Sequence, residues 1–150
     1  MSICLSKILE NKELGIVIRT IKIYKDQLEL REIKHLQLTN WPDHMIPSND
    51  KSINYIIDFI DIGKNFGPII VHCSAGNGRT GTLIAIYNIY QCLNLIKQIN
   101  IEYQQTIKPF FSVFNICRKL REQRQGMITS CDQYKYIYEY CALFVKNNFF

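Results

Sequence analysis

The chain has 150 residues, of which 47% are hydrophobic and 21% are charged. This length predicts one domain of ordinary size, and a chain so rich in apolar residues can bury enough surface to fold, which argues against intrinsic disorder. The formal net charge of +5 suits an anionic ligand but falls short of the dense basic surface that binds nucleic acid.

The apolar residues form only short runs. The run from Leu83 to Tyr87 ends at Asn88, and no run is long enough to span a bilayer. Residues 1–10 lack the apolar region of a secretory signal. The six cysteines are scattered without a C-x-x-C pair, so their spacing gives no zinc site. We therefore expect a soluble cytoplasmic protein that binds no membrane, nucleic acid or metal.

Two strands, a loop and a helix are predicted in the first part of the chain. Residues 14–23 and 28–39 are rich in Ile, Val and Leu, which is typical of strands. Residues 41–47 contain two prolines, which excludes regular structure and predicts a loop. From Asp50 to Lys64 the apolar residues recur at helical spacing, which predicts an amphipathic helix that Gly63 ends.

The second part predicts one more strand and three helices. Residues 68–72 form a continuous apolar run after a turn signal, which is typical of a buried strand in a parallel sheet. The segment from Thr80 to about Lys97 is apolar on nearly every side, which predicts a central, buried helix. Two further helices are predicted behind serine N-caps at Ser112 and Ser130, over residues 113–124 and 131–146. This order indicates an α/β fold with a central, partly parallel sheet flanked by helices.

The segment between the apolar run and the central helix has the composition of a phosphate-binding loop. It begins at Cys73 and ends at Arg79, at the start of the helix. Its backbone can curl with successive N–H groups pointing inward, and the helix N-terminus adds donors and a partial positive charge. Such a cradle binds a tetrahedral dianion and stabilises a thiolate. The five residues between the two ends are small or tolerate positive φ: Ser74, Ala75, Gly76, Asn77 and Gly78.

The same environment decides the reactivity of Cys73. A free thiol with a pKa of about 8.5 is only a few per cent ionised at pH 7, whereas pKa values of about 3.5–7.5 occur at helix N-termini. Arg79 supplies a planar, permanently charged fork for two phosphate oxygens. The alternative to a phosphate-binding site is a purely structural glycine-rich turn with a buried cysteine and a surface arginine. The preceding His72, the apolar run and the following helix favour the phosphate site.

Three segments together resemble the protein tyrosine phosphatases. His72–Gly81 is similar to that family's signature loop, and Trp41-Pro42-Asp43 resembles its mobile loop that carries the general acid. The match points to the phosphotyrosine-specific branch rather than the dual-specificity branch. Further similarity to the segment that leads into the family's late helix lies at Arg121–Arg124, Gly126–Ile128 and Asp132–Tyr134.

The resemblance implies a role for each residue. Cys73 would be the nucleophile, Arg79 the phosphate clamp and Asp43 the general acid that protonates the leaving tyrosyl oxygen, a role that contributes about 10²–10⁴ in rate. Water would then hydrolyse the phosphocysteine, with no metal or other cofactor. The substrates would be phosphotyrosine-containing proteins. Supporting roles would fall to His72, which orients the loop, to Thr80, which hydrogen-bonds near the thiolate, and to Trp41, which either packs or forms the hinge side of the lid.

The sequence departs from the family's pattern in two respects. The resemblance runs from about residue 30 to residue 145 and corresponds to the C-terminal half of the family's domain, so residues 1–150 are expected to be a single, N-terminally truncated phosphatase domain. Thr129 stands where the family usually carries a Gln that aligns the hydrolytic water. Gln133 matches a second family position and either substitutes for that Gln or only closes a capping box with Ser130.

Two other functions follow from the same residues. A phosphatase-like module that lacks efficient hydrolysis would bind or trap phosphorylated partners, and a low-pKa Cys73 would also serve as a redox sensor.

The abundance of Ile, Asn, Lys, Tyr and Phe is similar to that of the bracovirus phosphatases. This likeness predicts a viral protein that acts on host signalling in the host cytoplasm.

Overall fold

Residues 1–41 and 47–65 form one compact unit of the computed structural model, which describes residues 1–102 and 112–149. Its sheet consists of β1 (Ser2–Asn11), β2 (Ile16–Lys25) and β3 (Leu28–Leu38). The strands pair antiparallel in the order β1-β2-β3. The strands predicted at 14–23 and 28–39 correspond to β2 and β3 and are confirmed.

A two-residue turn joins β2 to β3. Asp26 and Gln27 have φ angles of 51° and 70°. Positive φ at both central residues matches the right-handed twist of a hairpin. The turn pairs Lys25 with Leu28, and a register shift between Ile23 and Tyr24 then places Ile16 opposite Leu38 at the far end of the hairpin.

β1 is missing from the predicted elements because a bulge interrupts its pattern. The register with β2 shifts between Leu5 and Lys7, and a bulge adds one residue to the strand that carries it. Ile3, Leu5 and Ile8 therefore share one face of the sheet, although they are spaced by two and then by three residues. A search for strict alternation does not recognise such a strand.

The helix predicted over 50–64 is confirmed as α1 (Asp50–Gly63). Asn49 is its N-cap, and its side-chain oxygen accepts a hydrogen bond from the backbone N–H of Lys51 at 2.8 Å. The Ser52 hydroxyl is fully buried and donates to the backbone oxygen of Leu14 at 2.7 Å. The apolar face of the helix is buried at Ile53, Ile56, Ile57 and Ile60.

The second unit comprises residues 42–46 and the described residues from 66 onward. It contains three helices: α2 (Gly78–Glu102), α3 (Val113–Gln123) and α4 (Cys131–Phe149). α2 packs against both α3 and α4, and Ile86, Ile89, Leu120 and Ile137 are buried between them. All three predicted helices are confirmed, and α2 is the central one. None of the described helices combines the length and apolar character needed to cross a membrane.

The strand predicted at residues 68–72 is not formed. These residues have no regular secondary structure, and Ile70 is 85% exposed. A strand requires a neighbour to pair with, and the sheet within the described residues contains only β1, β2 and β3, all antiparallel. β1 is also exposed at every residue, so helices do not cover this strand on both faces. The α/β class is confirmed, whereas the parallel strand is wrong.

Candidate active site

The segment from Cys73 to Arg79, called the phosphate loop below, turns directly into the N-terminus of α2 at Gly78. Gly76 has a φ of 70°, in the left-handed region that favours glycine. Gly78 is required by close approach, because a β-carbon there would lie 2.6 Å from Thr129 Oγ1. The two glycines therefore allow the tight turn that brings the loop onto the start of the helix.

Cys73 lies at the base of this loop and is half-buried. Burial acts to raise the pKa of its thiol, but hydrogen bonds from the hydroxyl and backbone N–H of Thr80 oppose this. The backbone N–H groups of Gly76 and Asn77 also donate to the sulfur, and together these donors hold the pKa of Cys73 below its ordinary value. These donors therefore increase the thiolate fraction of Cys73 relative to an ordinary cysteine.

Thr80 is 5% exposed, and its hydroxyl lacks a geometrically well-formed hydrogen bond among the described residues. The hydroxyl acts on the sulfur of Cys73, where it helps to lower the pKa of the thiol. The supporting role of Thr80 in catalysis stays a prediction.

Asp43 and Arg79 form an ion pair within the second unit. Arg79 Nη2 lies 3.3 Å from Asp43 Oδ1, and the two side chains are 25% and 53% exposed. Asp43 Oδ1 also accepts a hydrogen bond from the backbone N–H of His44 at 3.1 Å. The structure thus brings the predicted general acid to the predicted phosphate clamp, although 36 residues of chain separate them in sequence.

Comparisons with known proteins identify the family of this chain. The family model for protein-tyrosine phosphatase matches residues 2–143. This chain belongs to the protein-tyrosine phosphatase family. Because the match covers most of the chain, it includes both the phosphate loop and the Trp-Pro-Asp segment.

Curated relatives and solved structures give the same assignment. Tyrosine-protein phosphatase 2 of Dictyostelium discoideum is 36% identical over 119 residues, covering 79% of this chain and 30% of that protein. Tyrosine-protein phosphatase non-receptor type 18 of Mus musculus is 36% identical over 129 residues, covering 85% of this chain and 26% of that protein. The Trypanosoma cruzi protein tyrosine phosphatase TcPTP1 superposes with a TM-score of 0.80 at 28% identity, over 96% of this chain and 47% of that one.

A structure of PTPN18 in complex with HER2 phosphopeptides superposes with a TM-score of 0.77 at 31% identity, over 94% of this chain and 49% of that chain. This chain therefore spans about half the length of these solved phosphatases. It spans less than a third of the two curated relatives.

Within this phosphatase fold, Gln133 adopts a structural position. It is fully buried. Its Oε1 accepts from the backbone N–H of Thr129 at 3.1 Å and from the Thr129 hydroxyl at 3.2 Å. Its Nε2 donates to the backbone oxygen of Met45 at 3.2 Å. The side-chain oxygen of Gln133 therefore already accepts two hydrogen bonds from Thr129, the residue predicted to stand at the family's water-aligning position.

Ser130 is the N-cap of α4, as predicted, because its Oγ accepts from the backbone N–H of Gln133 at 3.1 Å. The reciprocal half of the predicted capping box differs. Gln133 accepts from the backbone N–H of Thr129 rather than from that of Ser130. Ser130 also donates its hydroxyl hydrogen to the backbone oxygen of His44 at 3.0 Å, a contact that sequence spacing does not predict.

Two arginines that carry no role in the sequence analysis support the site: Arg124 bonds the phosphate loop, and Arg121 bonds the segment at Met127 and Ile128. Arg124 Nε donates to Asn77 Oδ1 at 2.8 Å, and its Nη2 donates to the backbone oxygen of Ala75 at 3.0 Å. Arg121 donates to the backbone oxygens of Met127 and Ile128 at 2.9 and 3.0 Å. Both lie in the segment Arg121–Arg124 that resembles the family, and this resemblance, together with their i, i+3 spacing, is a signal that could have identified them.

The remaining predicted residues lie around these groups. His72 is exposed, and its Nδ1 lies 3.5 Å from the backbone oxygen of Cys73. Ser74 and Ala75 are exposed on the phosphate loop. Trp41 is 6% exposed and belongs to the first unit. Among the described residues, no group of three or more His, Cys, Asp or Glu side chains could hold a metal ion.

Proposed function

We propose that this chain is a protein tyrosine phosphatase that hydrolyses phosphotyrosine in proteins through a phosphocysteine intermediate. The environment of Cys73 carries this proposal, because hydrogen-bond donors at a helix N-terminus lower its pKa despite partial burial. The PTPN18 structures in complex with HER2 phosphopeptides support phosphotyrosine side chains as the substrate class.

In the first step, the Cys73 thiolate attacks phosphorus and the bond from phosphorus to the tyrosyl oxygen breaks. The N–H groups of the phosphate loop and the guanidinium of Arg79 stabilise the negative charge on the equatorial oxygens. Asp43 donates a proton to the leaving oxygen. Its contact with Arg79 supports this role, because it places the carboxyl next to the group that binds the phosphoryl oxygens.

In the second step, water attacks phosphorus and gives a proton to the Asp43 carboxylate. The sulfur–phosphorus bond breaks, Cys73 is released as a thiolate, and inorganic phosphate leaves. This step needs a water molecule held in line with the sulfur, and such positioning lowers a barrier by several kcal/mol. Thr129 has a shorter side chain than Gln and lacks an amide. Because the side-chain oxygen of Gln133 already accepts two hydrogen bonds from Thr129, the second step is the slower one.

A phosphate trap is the second candidate function, and the same Thr129–Gln133 hydrogen bonds favour it. An enzyme that forms phosphocysteine quickly and hydrolyses it slowly holds phosphate covalently. Pre-steady-state kinetics with an aryl phosphate separates the two functions. A phosphatase gives a burst followed by sustained release, whereas a trap gives one equivalent of phenol and then stops.

The matched control for this experiment is a second cysteine in the same unit. Cys131 is an exposed free thiol at the start of α4. Cys73→Ser abolishes both the burst and the turnover, and Cys131→Ser leaves both in place. Turnover that survives Cys73→Ser would refute both functions.

A further inference from the structure

Two residues at the N-terminus of α4 hold the segment that carries Asp43. This segment, residues 42–46, is called the acid loop below. Ser130 Oγ donates to the backbone oxygen of His44 at 3.0 Å, and Gln133 Nε2 donates to the backbone oxygen of Met45 at 3.2 Å. Consecutive carbonyl groups of the acid loop are thus bound by two side chains of one helix turn.

The backbone of the acid loop requires such support. The backbone N–H of Met45 donates to the backbone oxygen of Pro42 at 3.3 Å, which closes a turn with Asp43 and His44 at its centre. His44 has a φ of 61° in this turn. A non-glycine residue in the left-handed region is strained, and it persists where surrounding contacts determine it. The hydrogen bond from Ser130 acts on the carbonyl of this strained residue.

Gln133 is well suited to hold the loop because its own orientation is determined. It is fully buried, and Thr129 donates two hydrogen bonds to its Oε1. These bonds fix which end of the amide faces Thr129, so the Nε2 group faces Met45. A buried amide that is bonded at both ends rarely rotates, because rotation would leave polar groups unpaired.

We propose that Ser130 and Gln133 are positioning residues for the general acid: they hold the acid loop so that Asp43 lies beside Arg79. This inference rests on the proposed function and adds to it a second role for the N-cap of α4. Neither residue contacts the reacting atoms. Their effect on the steps up to phosphoryl transfer is therefore transmitted through Asp43.

The test compares aryl phosphates whose leaving groups differ in pKa. kcat/KM reports the steps up to phosphoryl transfer, and protonation by Asp43 matters most for a poor leaving group. Ser130→Gly and Gln133→Met should lower kcat/KM for phenyl phosphate about 10-fold more than for 4-nitrophenyl phosphate. Ser130→Thr keeps the hydroxyl and should behave as the unchanged chain.

Ser112→Gly is the matched control, because Ser112 caps α3 with the same chemistry and its Oγ accepts from the backbone N–H of Asn115 at 3.4 Å. Glycine is itself a well-tolerated N-cap residue and costs little stability there. This variant should therefore fold and treat both substrates alike. In an Asp43→Asn background, Ser130→Gly should cause no further loss for phenyl phosphate. Equal losses for both substrates, or a full additional loss in that background, would overturn the proposal.

A second measurement needs no turnover. Trp41 is the only tryptophan of the chain and directly precedes the acid loop. It is buried, so release of the loop in Ser130→Gly or Gln133→Met should increase quenching of its fluorescence by acrylamide relative to Ser112→Gly. Lack of 4-nitrophenyl phosphate hydrolysis would contradict the proposed function, whereas unchanged quenching would contradict the role of Ser130 and Gln133.

Discussion

Arg124 Nε donates to Asn77 Oδ1 at 2.8 Å, a hydrogen bond that joins the end of α3 to the middle of the phosphate loop across 47 residues of sequence. The backbone oxygen of Asn77 also accepts from the N–H groups of Gly81 and Ile128. Asn77 is therefore bonded through both its side chain and its backbone. The shape of the phosphate loop therefore depends on residues that are distant from it in sequence.

Removing this hydrogen bond should loosen the phosphate loop. Asn77→Val takes away the acceptor, and hydrogen bonds to charged groups contribute about 1.5–3 kcal/mol, so kcat/KM for an aryl phosphate should fall about 10-fold or more. Arg124→Lys keeps the charge but not the two-pronged geometry and should cause a comparable loss. Arg118→Ala is the control. Arg118 also lies on α3, but its side chain is exposed and forms an ion pair with Glu122. Equal losses in all three variants would contradict the assignment.

The lowered pKa of Cys73 predicts selective alkylation. Because hydrogen bonds lower the pKa of Cys73 in the folded protein, iodoacetamide should modify Cys73 at a lower pH than the other thiols. Burial raises the pKa of both Cys117 and Cys141, so these two thiols should resist modification in the same pH range. Peptide mass spectrometry after labelling between pH 5 and 9 measures each site. Equal labelling of Cys73 and Cys117 near pH 6 would contradict this prediction.

Thr80→Val tests the largest of the hydrogen bonds that favour the thiolate. Valine has the shape of threonine without its hydroxyl, so the pKa of Cys73 should rise and the labelling curve should shift to higher pH. Thr82→Val is the matched control, since the Thr82 hydroxyl is equally buried but donates to the backbone oxygen of Gly78 at 2.9 Å. A shift of the same size in both variants would mean that the helix as a whole, and not the Thr80 hydroxyl, sets the pKa.

Asp43→Asn removes the proton that the leaving group needs. kcat/KM should fall by about 10²-fold or more for phenyl phosphate and by much less for 4-nitrophenyl phosphate, whose leaving group needs little protonation. Asp61→Asn is the control. Asp61 lies on α1 in the first unit, where it pairs with Lys64 at the end of that helix. An equal loss with both substrates would show that Asp43 only supports the loop through its contact with Arg79.

Thr129→Gln should restore the second chemical step. A glutamine amide at this position can hold the hydrolytic water, so the steady-state rate should rise by about 10-fold while the burst rate stays the same. Acid quenching should detect phosphocysteine on Cys73 in the unchanged chain and less of it in the variant. If the unchanged chain shows no burst and Thr129→Gln does not alter the steady-state rate, hydrolysis of the phosphocysteine is not the limiting step.

Local patterns in the sequence determined most of the helical structure and the phosphate loop. The spacing of the isoleucines predicts α1, and serines at positions 112 and 130 predict the starts of α3 and α4, because periodicity and capping involve residues within one or two turns. The small residues between Cys73 and Arg79 likewise predict a loop that runs into a helix. Each of these features depends on neighbours in the chain.

Contacts between distant residues were decided only by the tertiary structure. The apolar run at 68–72 has the composition of a strand but pairs with no strand of the described sheet, because pairing requires a partner from elsewhere in the chain. The sequence left two roles open for Gln133, a substitute for the water-aligning Gln and a member of a capping box. In the structure its side chain donates a hydrogen bond to Met45, 88 residues away in sequence. Side-chain hydrogen bonds across such separations leave no periodic trace in the sequence, so only the folded chain reveals that α4 holds the loop that carries Asp43.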